Sequence, residues 1–212
     1  HQDYAFPIPD VFSDAEAAPL LCAGSVGYRA LKLTALTNGQ RLGLTGFGGS
    51  GHIVLQLARH LFPQSPVYVF ARDPLQLEHA RRLGAYWSGD TEDSPAEKLD
   101  AIIDTTPAWK PVLAALERLR PGGRLVINAI RKENADREIL QTMDYGEHLW
   151  LEKEIKSVAN VTADDIRGCL EIAARASLKP TVEIYSFEEA NRALQDLRGG
   201  RVRGAKVLRI GG

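Results

Sequence analysis

Residues 41–51 read Arg41-Leu-Gly-Leu-Thr-Gly46-Phe-Gly48-Gly49-Ser50-Gly51, an apolar run that passes directly into a glycine-rich turn. The glycines have the spacing G-x-G-x-x-G, and each position has its own physical requirement. The first glycine lets a strand turn sharply, the second lets backbone approach a diphosphate, and the third lets a helix pack close to the strand. The stretch therefore predicts a strand, a phosphate-binding turn and a helix in succession.

The residues on either side of the turn support this interpretation. Residues 41–46 are typical of a short buried strand, and the apolar residues of 51–61 recur on one side of a helix. That context matters, because the glycine spacing alone is a weak signal. The amino terminus of the helix would offer free amides and about half a positive charge to a phosphate group. The predicted pyrophosphate-binding residues are Gly46, Gly48, Gly49, Ser50 and Gly51.

Strands and helices alternate beyond the turn. Further strands are predicted at 67–71, 101–104 and 124–129, with helical segments between them. Such alternation implies parallel strands joined by right-handed crossovers, and short apolar strands imply a sheet covered on both faces. The sequence therefore predicts an α/β fold, a Rossmann-type doubly wound parallel sheet.

The two ends of the chain have a different pattern. Ser13 and Glu16 form a capping box at the start of a helix predicted over 15–33. After a further predicted strand at 155–160, residues 162–212 change to helix–strand–helix–strand. This last part is typical of a segment that packs on another domain.

The end of the second predicted strand bears on which dinucleotide is bound. An acidic residue there would accept hydrogen bonds from the ribose 2′-hydroxyl of NAD, but the sequence has Ala71 and Arg72. Without a carboxylate there is no repulsion against a 2′-phosphate, and the forked guanidinium of Arg72 suits that phosphate. We therefore predict that these two residues favour NADP(H), with NAD(H) as the second choice. The alternative is that Arg72 is a surface residue that pairs with Asp73.

The overall composition argues against several other classes of protein. With 44% hydrophobic residues, 25% charged residues and a net charge of −1, the chain has no excess of positive charge to suggest nucleic acid or an anionic membrane as partner. The two cysteines cannot form a disulfide framework, and no apolar run approaches the ~20 residues needed to span a bilayer. We expect a cytoplasmic protein. The chain begins at His1 without an initiator methionine, which suggests a piece of a longer protein.

Four stretches, in order along the chain, resemble the second half of the zinc-dependent medium-chain alcohol dehydrogenases. They are residues 17–28, the glycine-rich turn, 120–126 and 200–208, and together they extend over essentially the whole chain. Residues 149–162 are similar to a bacterial-type branch of that family. The resemblance implies a parent enzyme that transfers hydride between a small alcohol or aldehyde and NADP(H) or NAD(H).

The resemblance also implies that Cys22 matches the third protein ligand of the catalytic zinc. Taken from the residues alone, Cys22 would be a small apolar side chain packed on a helix. The family's other Cys and His ligands belong to an amino-terminal half that this sequence lacks. We therefore expect zinc in the full-length enzyme only, and no dehydrogenase activity from this chain by itself.

Family likeness further implies which residues line the cofactor crevice. Val26 departs from a threonine that touches the nicotinamide amide, and Gly204-Ala205 departs from a Gly-Arg pair whose arginine contacts the pyrophosphate. Arg203 or Lys206 could substitute for that arginine; the alternative is that they belong to an exposed basic turn. His52 could approach a phosphate or be an ordinary helix residue. The residues expected at the C-terminal ends of strands, along the crevice, are Thr105, Thr106, Asn128, Ala129, Ile130 and Asn160.

On this resemblance the chain divides into three parts. Residues 1–24 would be a remnant of the catalytic domain and a linking helix, 25–161 the dinucleotide-binding domain, and 162–212 a segment that returns to the catalytic domain. The parent would form homo-oligomers through its last sheet strand, near 157–161. Two alternatives stay open: a non-catalytic dinucleotide-binding or sensor module in which Cys22 is only packing, and a methyltransferase that binds S-adenosylmethionine. The lack of an acid after the second strand argues against the methyltransferase.

Overall fold

The computed structural model describes residues 4–200 and 203–211, and its centre is a six-stranded parallel sheet. The strands are β1 (Leu42–Thr45), β2 (Val67–Phe70), β3 (Trp87–Gly89), β4 (Leu99–Asp104), β5 (Leu119–Ile127) and β6 (Glu154–Ser157). Their order across the sheet is β3-β2-β1-β4-β5-β6, and each neighbouring pair is parallel. The predicted α/β fold is confirmed.

Helices cover both faces of this sheet. They are α1 (Asp14–Pro19), α2 (Ser25–Leu33), α3 (Gly51–Leu61), α4 (Pro74–Arg82), α5 (Lys110–Arg118), α6 (Tyr145–His148), α7 (Ala163–Arg175) and α8 (Ala190–Arg198). Alternate residues of a strand point to opposite faces. Val67 and Val69 of β2 accordingly belong to the core shared with α2, α3 and α7, whereas Tyr68 and Phe70 belong to the core shared with α5. All four residues of β1 are buried, as its apolar sequence predicts.

The predicted helix over 15–33 is instead three helical segments. The capping box of Ser13 and Glu16 is present at the start of α1, and Pro19 lies at its end. Because proline has no amide to donate, the regular helix is interrupted there, and Leu20–Gly24 forms a π-helical turn before α2 begins.

The C-terminal part of the chain forms a second, smaller unit of sheet. Here β7 (Val182–Ser186) and β8 (Ala205–Arg209) pair in parallel, with a 3₁₀ turn at Phe187–Glu189 and α8 between them. Helix α1 contacts both strands. The N-terminal helix and the C-terminal strand pair therefore lie together, away from the six-stranded sheet.

The start of β5 shows the largest difference from the sequence prediction. The sequence predicts a strand at 124–129, and the Pro-Gly-Gly of residues 121–123 is typical of a turn before it, but β5 already begins at Leu119. Gly122 adopts a φ of +68° and donates its amide to the carbonyl of Leu151 at 2.8 Å, and the Pro-Gly-Gly sequence lies in a bulge of β5 between the residues that pair with β4, Leu119 and Arg124. Residues Arg137–Thr142 form a 3₁₀ helix between β5 and α6. Among the described residues, no helix is both long enough and apolar enough to cross a bilayer.

A buried carboxylate joins α7 to α2. The side chain of Asp165 is inaccessible to solvent and accepts hydrogen bonds from Arg29 at 2.7 Å, from Lys32 at 2.9 Å and from both donors of Thr162. Burial alone would raise the pKa of Asp165, but the hydrogen bonds from Lys32, Thr162 and Arg29 outweigh it and hold that pKa well below its ordinary value. The ionised carboxylate is therefore part of the native packing.

We expect Asp165→Asn to lower the free energy of unfolding by about 1–3 kcal/mol at pH 7, because hydrogen bonds to a charged acceptor are lost while the cations keep access to water. Since folding depresses this pKa, the stabilisation is complete above the unfolded aspartate pKa of about 3.9 and is lost as the pH falls further. Urea unfolding at pH 7 and pH 3 measures both effects. Asp164→Asn is the matched control and should change little, because Asp164 is exposed and its ion pair among the described residues is with Arg167 on the surface of α7. An equal effect of the two substitutions would contradict the assignment.

Candidate functional site

The glycine-rich turn lies at the point where the sheet changes direction. From β1 the chain goes to β2 and β3 on one side, and β4 to β6 then continue on the other side. In open α/β sheets a crevice forms at such a switch point, outside the carboxyl ends of the strands. The turn joins β1 to α3 at this position.

Each of three glycines in the turn has a different environment. Gly46 has a φ of +82°, and a Cβ there would lie 2.7 Å from Oγ1 of Thr105. A Cβ on Gly51 would lie 2.7 Å from the carbonyl oxygen of Gly46, so α3 can begin this close to β1 only without a side chain. A Cβ on Gly48 would meet no heavy atom within 4 Å. Packing therefore explains Gly46 and Gly51, while Gly48 borders open space.

The turn presents a row of amides without partners. Within the described part of the chain, the backbone amides of Gly48, Gly49, Ser50 and Gly51 donate no hydrogen bond. Ser50 is the N-cap residue of α3, yet its hydroxyl donates to the carbonyl of Ala23 at 3.0 Å instead of capping the helix. Four consecutive donors at a helix amino terminus form a site suited to an anion.

Two polar side chains beside the crevice also lack partners. Within the described ranges, Oγ1 of Thr45 and Nδ2 of Asn128 are buried and form no hydrogen bond. Asn128 follows β5, and its amide donates to the carbonyl of Asp104 at 2.7 Å, which places it at the carboxyl end of the sheet. Buried donors without partners are rare in folded proteins and point to a missing ligand or water.

The end of β4 is held by internal hydrogen bonds. Oγ1 of Thr105 donates to the carbonyl of Thr45 at 3.0 Å, and Oγ1 of Thr106 donates to Asp104 at 2.8 Å. Asp104 is buried and pairs with Lys132, which also donates to the carbonyls of Thr106 and Ala108. Burial raises the pKa of Asp104, against the effect of Lys132. The two threonine hydroxyls thus shape the crevice wall through protein contacts.

The remaining predicted crevice residues differ in exposure. Ala129 is partly buried, and the side chain of Ile130 is fully exposed. Asn160 is exposed beyond β6, and its Oδ1 accepts the amide of Val161 at 2.8 Å. All three follow the carboxyl ends of β5 or β6, on the side of the sheet where the glycine-rich turn lies.

The end of β2 carries an exposed cation and no carboxylate. Ala71 is buried, whereas Arg72 is exposed and has no hydrogen bond or ion pair among the described residues. Asp73 accepts the amide of Leu75 at 2.9 Å as the N-cap of α4. Arg72 is therefore a surface residue, as the alternative expects, but it forms no ion pair with Asp73 among the described residues.

Cys22 precedes Ala23, which contacts the glycine-rich turn. It is exposed on the π-helical segment, and its neighbour Ala23 accepts the Ser50 hydroxyl. Across the ranges 4–200 and 203–211, no group of three or more His, Cys, Asp or Glu side chains is placed to hold a metal ion.

One predicted substitute for the missing arginine is wrong. Lys206 donates to Glu183 at 2.6 Å and to the hydroxyl of Tyr185 at 2.7 Å, and its side chain is 8% exposed. Because β7 and β8 pair Glu183 opposite Lys206, this cation is neutralised across the strands. Arg203 is exposed, and the carbonyl of the next residue, Gly204, lies 3.8 Å from where a Cβ on Gly49 would be.

The sequence prediction missed the role of His52. The side chain is fully buried, with Nδ1 3.0 Å from the carbonyl oxygen of Gly48 and Nε2 accepting the amide of Thr181 at 3.1 Å. Both ring nitrogens are thus bonded to backbone, and His52 does not face the open crevice. Its place beside the apolar Ile53 and Val54 indicated burial, but Thr181 is 129 residues away and nothing local pointed to it.

Comparison with known proteins identifies the family. Residues 80–208 match the family model described as "Zinc-binding dehydrogenase". The chain belongs to this family. The resemblance to the C-terminal half of zinc-dependent medium-chain alcohol dehydrogenases is confirmed, and the methyltransferase alternative is set aside.

The curated relatives of this chain are longer. The chain is 41% identical over 207 residues to "Probable alcohol dehydrogenase AdhA" of Mycobacterium tuberculosis, an alignment that covers 98% of this chain and 58% of that protein. The chain thus spans about three-fifths of the length of the curated relatives it matches.

Solved structures share the fold. An acetophenone reductase from Geotrichum candidum in complex with NAD aligns with a TM-score of 0.82 and 22% identity, over 96% of this chain and 58% of its own. The CAD of Helicobacter pylori complexed with NADP(H) aligns with a TM-score of 0.76 and 22% identity, over 91% and 54%. The same fold therefore occurs with either dinucleotide bound.

We expect Gly51→Ala to lower the free energy of unfolding by about 1–3 kcal/mol, because the new methyl group forces α3 away from the Gly46 carbonyl. That loss exceeds the ~1 kcal/mol by which alanine favours a helix over glycine. Urea unfolding is the measurement. Gly48→Ala, which meets open space, should stay within about 0.5 kcal/mol of the natural chain. A Gly51→Ala protein as stable as Gly48→Ala would contradict the packing described for this turn.

Proposed function

We propose that this chain binds NADP(H) or NAD(H) and forms the cofactor-binding portion of a zinc-dependent alcohol dehydrogenase. The observation that carries the proposal is the row of four free amides from Gly48 to Gly51, at the start of α3 and at the switch point of the sheet. When bound, the nicotinamide supplies hydride transfer. The chain itself supplies binding, orientation and a partly desolvated crevice.

The energetics favour a diphosphate at this turn. Amides that already lack protein partners lose no internal hydrogen bond when a phosphate binds, and each bond to a charged acceptor contributes about 1.5–3 kcal/mol. The partial positive charge of the α3 amino terminus adds to this. The open space at Gly48 lets phosphate oxygens reach the backbone. Gly46, Gly49, Ser50 and Gly51 complete the proposed pyrophosphate site.

The far side of the crevice is proposed to receive the nicotinamide half. The unpartnered Nδ2 of Asn128 is a donor for a ribose or carboxamide oxygen. Family likeness extends this wall to further residues after β4, β5 and β6. The proposed wall consists of Thr105, Thr106, Asn128, Ala129, Ile130 and Asn160.

We propose a preference for NADP(H) over NAD(H). Arg72 is exposed at the end of β2 and, among the described residues, its guanidinium is not neutralised by a carboxylate. Ala71 before it has no charge to repel a 2′-phosphate. A forked cation can form two parallel hydrogen bonds to that group.

The activity of the whole protein is also a proposal. We propose that a longer parent transfers hydride between a small alcohol or aldehyde and the bound dinucleotide, with zinc held by Cys22 together with ligands from outside this chain. We further propose that residues 1–24 and 162–212 belong with the catalytic domain and 25–161 with the dinucleotide. The N-terminal helix and the C-terminal strand pair are in contact, which fits such a shared domain. A cytoplasmic homo-oligomer joined at β6, an edge strand of the sheet, is consistent with this arrangement.

We expect Gly48→Ala to weaken NADPH and NADH binding to the same extent, by about tenfold or more, since a methyl group would occupy space proposed for the pyrophosphate common to both. Calorimetric or fluorescence titration of the 212-residue chain measures both dissociation constants. Ser177→Ala, at an exposed turn after α7, is the control and should leave both values unchanged. The proposed function fails if the natural chain binds neither dinucleotide.

For Arg72→Ala we expect NADPH affinity to fall about ten- to a hundredfold, because one charge-assisted contact is worth about 1.5–3 kcal/mol. NADH affinity should stay nearly constant. The same titrations give the ratio of the two dissociation constants. Arg175→Ala removes an equally charged, exposed side chain on α7 and should leave that ratio unchanged. An unchanged ratio in Arg72→Ala would remove the case for NADP(H).

A further inference from the structure

The ring of His52 is hydrogen-bonded on both sides to backbone, on one side four residues away and on the other 129 residues away. Nδ1 lies 3.0 Å from the carbonyl oxygen of Gly48, inside the glycine-rich turn. Nε2 lies 3.1 Å from the amide nitrogen of Thr181, just before β7. The side chain is inaccessible to solvent, so neither bond competes with water.

These two hydrogen-bond partners determine the tautomer of the His52 ring. An amide can only donate, so Nε2 must be the unprotonated acceptor; a carbonyl can only accept, so Nδ1 must carry the proton. Burial lowers the pKa of His52 to about 4, and the neutral ring therefore persists at pH 7. A doubly protonated ring would set an N–H group against the N–H of Thr181.

The partner segment is itself firmly placed against α3 and the turn. The side-chain amide of Gln56, one helical turn after His52, donates to the carbonyl of Lys179 at 3.2 Å and accepts its amide at 3.1 Å. Oγ1 of Thr181 lies 3.2 Å from Nε2 of His79, and the His79 ring is 5.8 Å from that of Phe47. The segment before β7 is thus attached to the same turn from two helices.

The C-terminal strands β7 and β8 both begin beside this segment. The amide of Ala205, the first residue of β8, donates to the carbonyl of Thr181 at 2.8 Å. Gly204 has a φ of +73°, and its carbonyl faces the position next to Gly49. The residues just before β7 and β8 therefore lie against the glycine-rich turn.

The direction of the Gly48 carbonyl affects how an anion would bind at the glycine-rich turn. The oxygen of Gly48 carries partial negative charge and would repel a phosphate if it faced the crevice. In the structure it accepts from the His52 ring and, at 3.3 Å, from the His52 amide, so it is directed back toward α3. Holding it there leaves the neighbouring amides as the groups that face the crevice.

We propose that His52 is a positioning residue for dinucleotide binding: it holds the Gly48 carbonyl away from the phosphates and couples the glycine-rich turn to the C-terminal strand pair through Thr181. The inference rests on the proposed dinucleotide site. Because coupling between two sites is reciprocal, a dinucleotide that orders the turn should also protect the Thr181 amide.

The first test compares dissociation constants for NADPH. His52→Leu removes both hydrogen bonds and should weaken binding about tenfold. His52→Asn retains a donor near the position of Nδ1 and should recover affinity to within about threefold of the natural chain. His60→Leu, the same change at an exposed residue of the same helix, is the matched control and should have no effect.

The second test is spectroscopic and distinguishes positioning from a general loss of stability. ¹⁵N resonances of the His52 ring should show the Nδ1–H tautomer, whether or not His52→Leu folds. NADPH should slow hydrogen exchange of the Thr181 amide in the natural chain, and this slowing should be absent in His52→Asn, which cannot reach Thr181.

Three outcomes would overturn the inference. The first is an Nε2–H tautomer of the His52 ring. The second is a folded His52→Leu protein whose NADPH affinity is within twofold of that of the natural chain. The third is a hydrogen-exchange rate of the Thr181 amide that NADPH does not change. Failure of the natural chain to bind either dinucleotide is a different result, since it overturns the proposed function first.

Discussion

The fold depends on one close approach, between the first residue of α3 and Gly46, the residue that follows β1. Any side chain on Gly51 would collide with the carbonyl of Gly46, and α3 would then have to move off the sheet that it covers. The buried residues that α3 contributes, among them Ile53 and Leu57, reach the core only from this position. The same approach points the free amides of the turn into the crevice. Packing and the proposed anion binding therefore both follow from one steric constraint.

The turn is also where separate parts of the chain meet. The N-terminal helical segment accepts the Ser50 hydroxyl at Ala23, and β4 supports the turn through Thr105. The C-terminal segment reaches it through His52 and Thr181. A loop held from three directions has few alternative conformations, so its amides are arranged before a ligand arrives. Such preorganisation reduces the entropy lost on binding.

Local sequence was sufficient for the elements whose pattern is local. The apolar runs of β1, β2 and β4 and the amphipathic α3 are where the sequence predicted them, and the turn glycines follow from chain geometry alone. The sequence prediction was wrong where contacts between distant residues determine the local structure. Residues 121–123 look like a turn, and they form a bulge within β5: the strand pairs with β4 at Leu119 and again at Arg124, and Gly122 donates its amide to the carbonyl of Leu151. Lys206 looked free because its partner Glu183 lies on another strand.

The candidate site divides in the same way. Its residue types could be predicted, because glycine spacing and the loss of an acid before Arg72 can be recognised in sequence. The free amides, the unpartnered Asn128 and the bonds of His52 could not, since they depend on how the elements pack. These features arise from three-dimensional arrangement, and they are the ones that make the site specific.

The central claim is that a dinucleotide binds through the amides of Gly48 to Gly51. A ¹H–¹⁵N NMR titration of the chain with NADPH tests it most directly. The account predicts that these four amide resonances shift the most and saturate together at one ligand per chain. It would be contradicted if NADPH bound while these resonances stayed in place and the shifts appeared elsewhere.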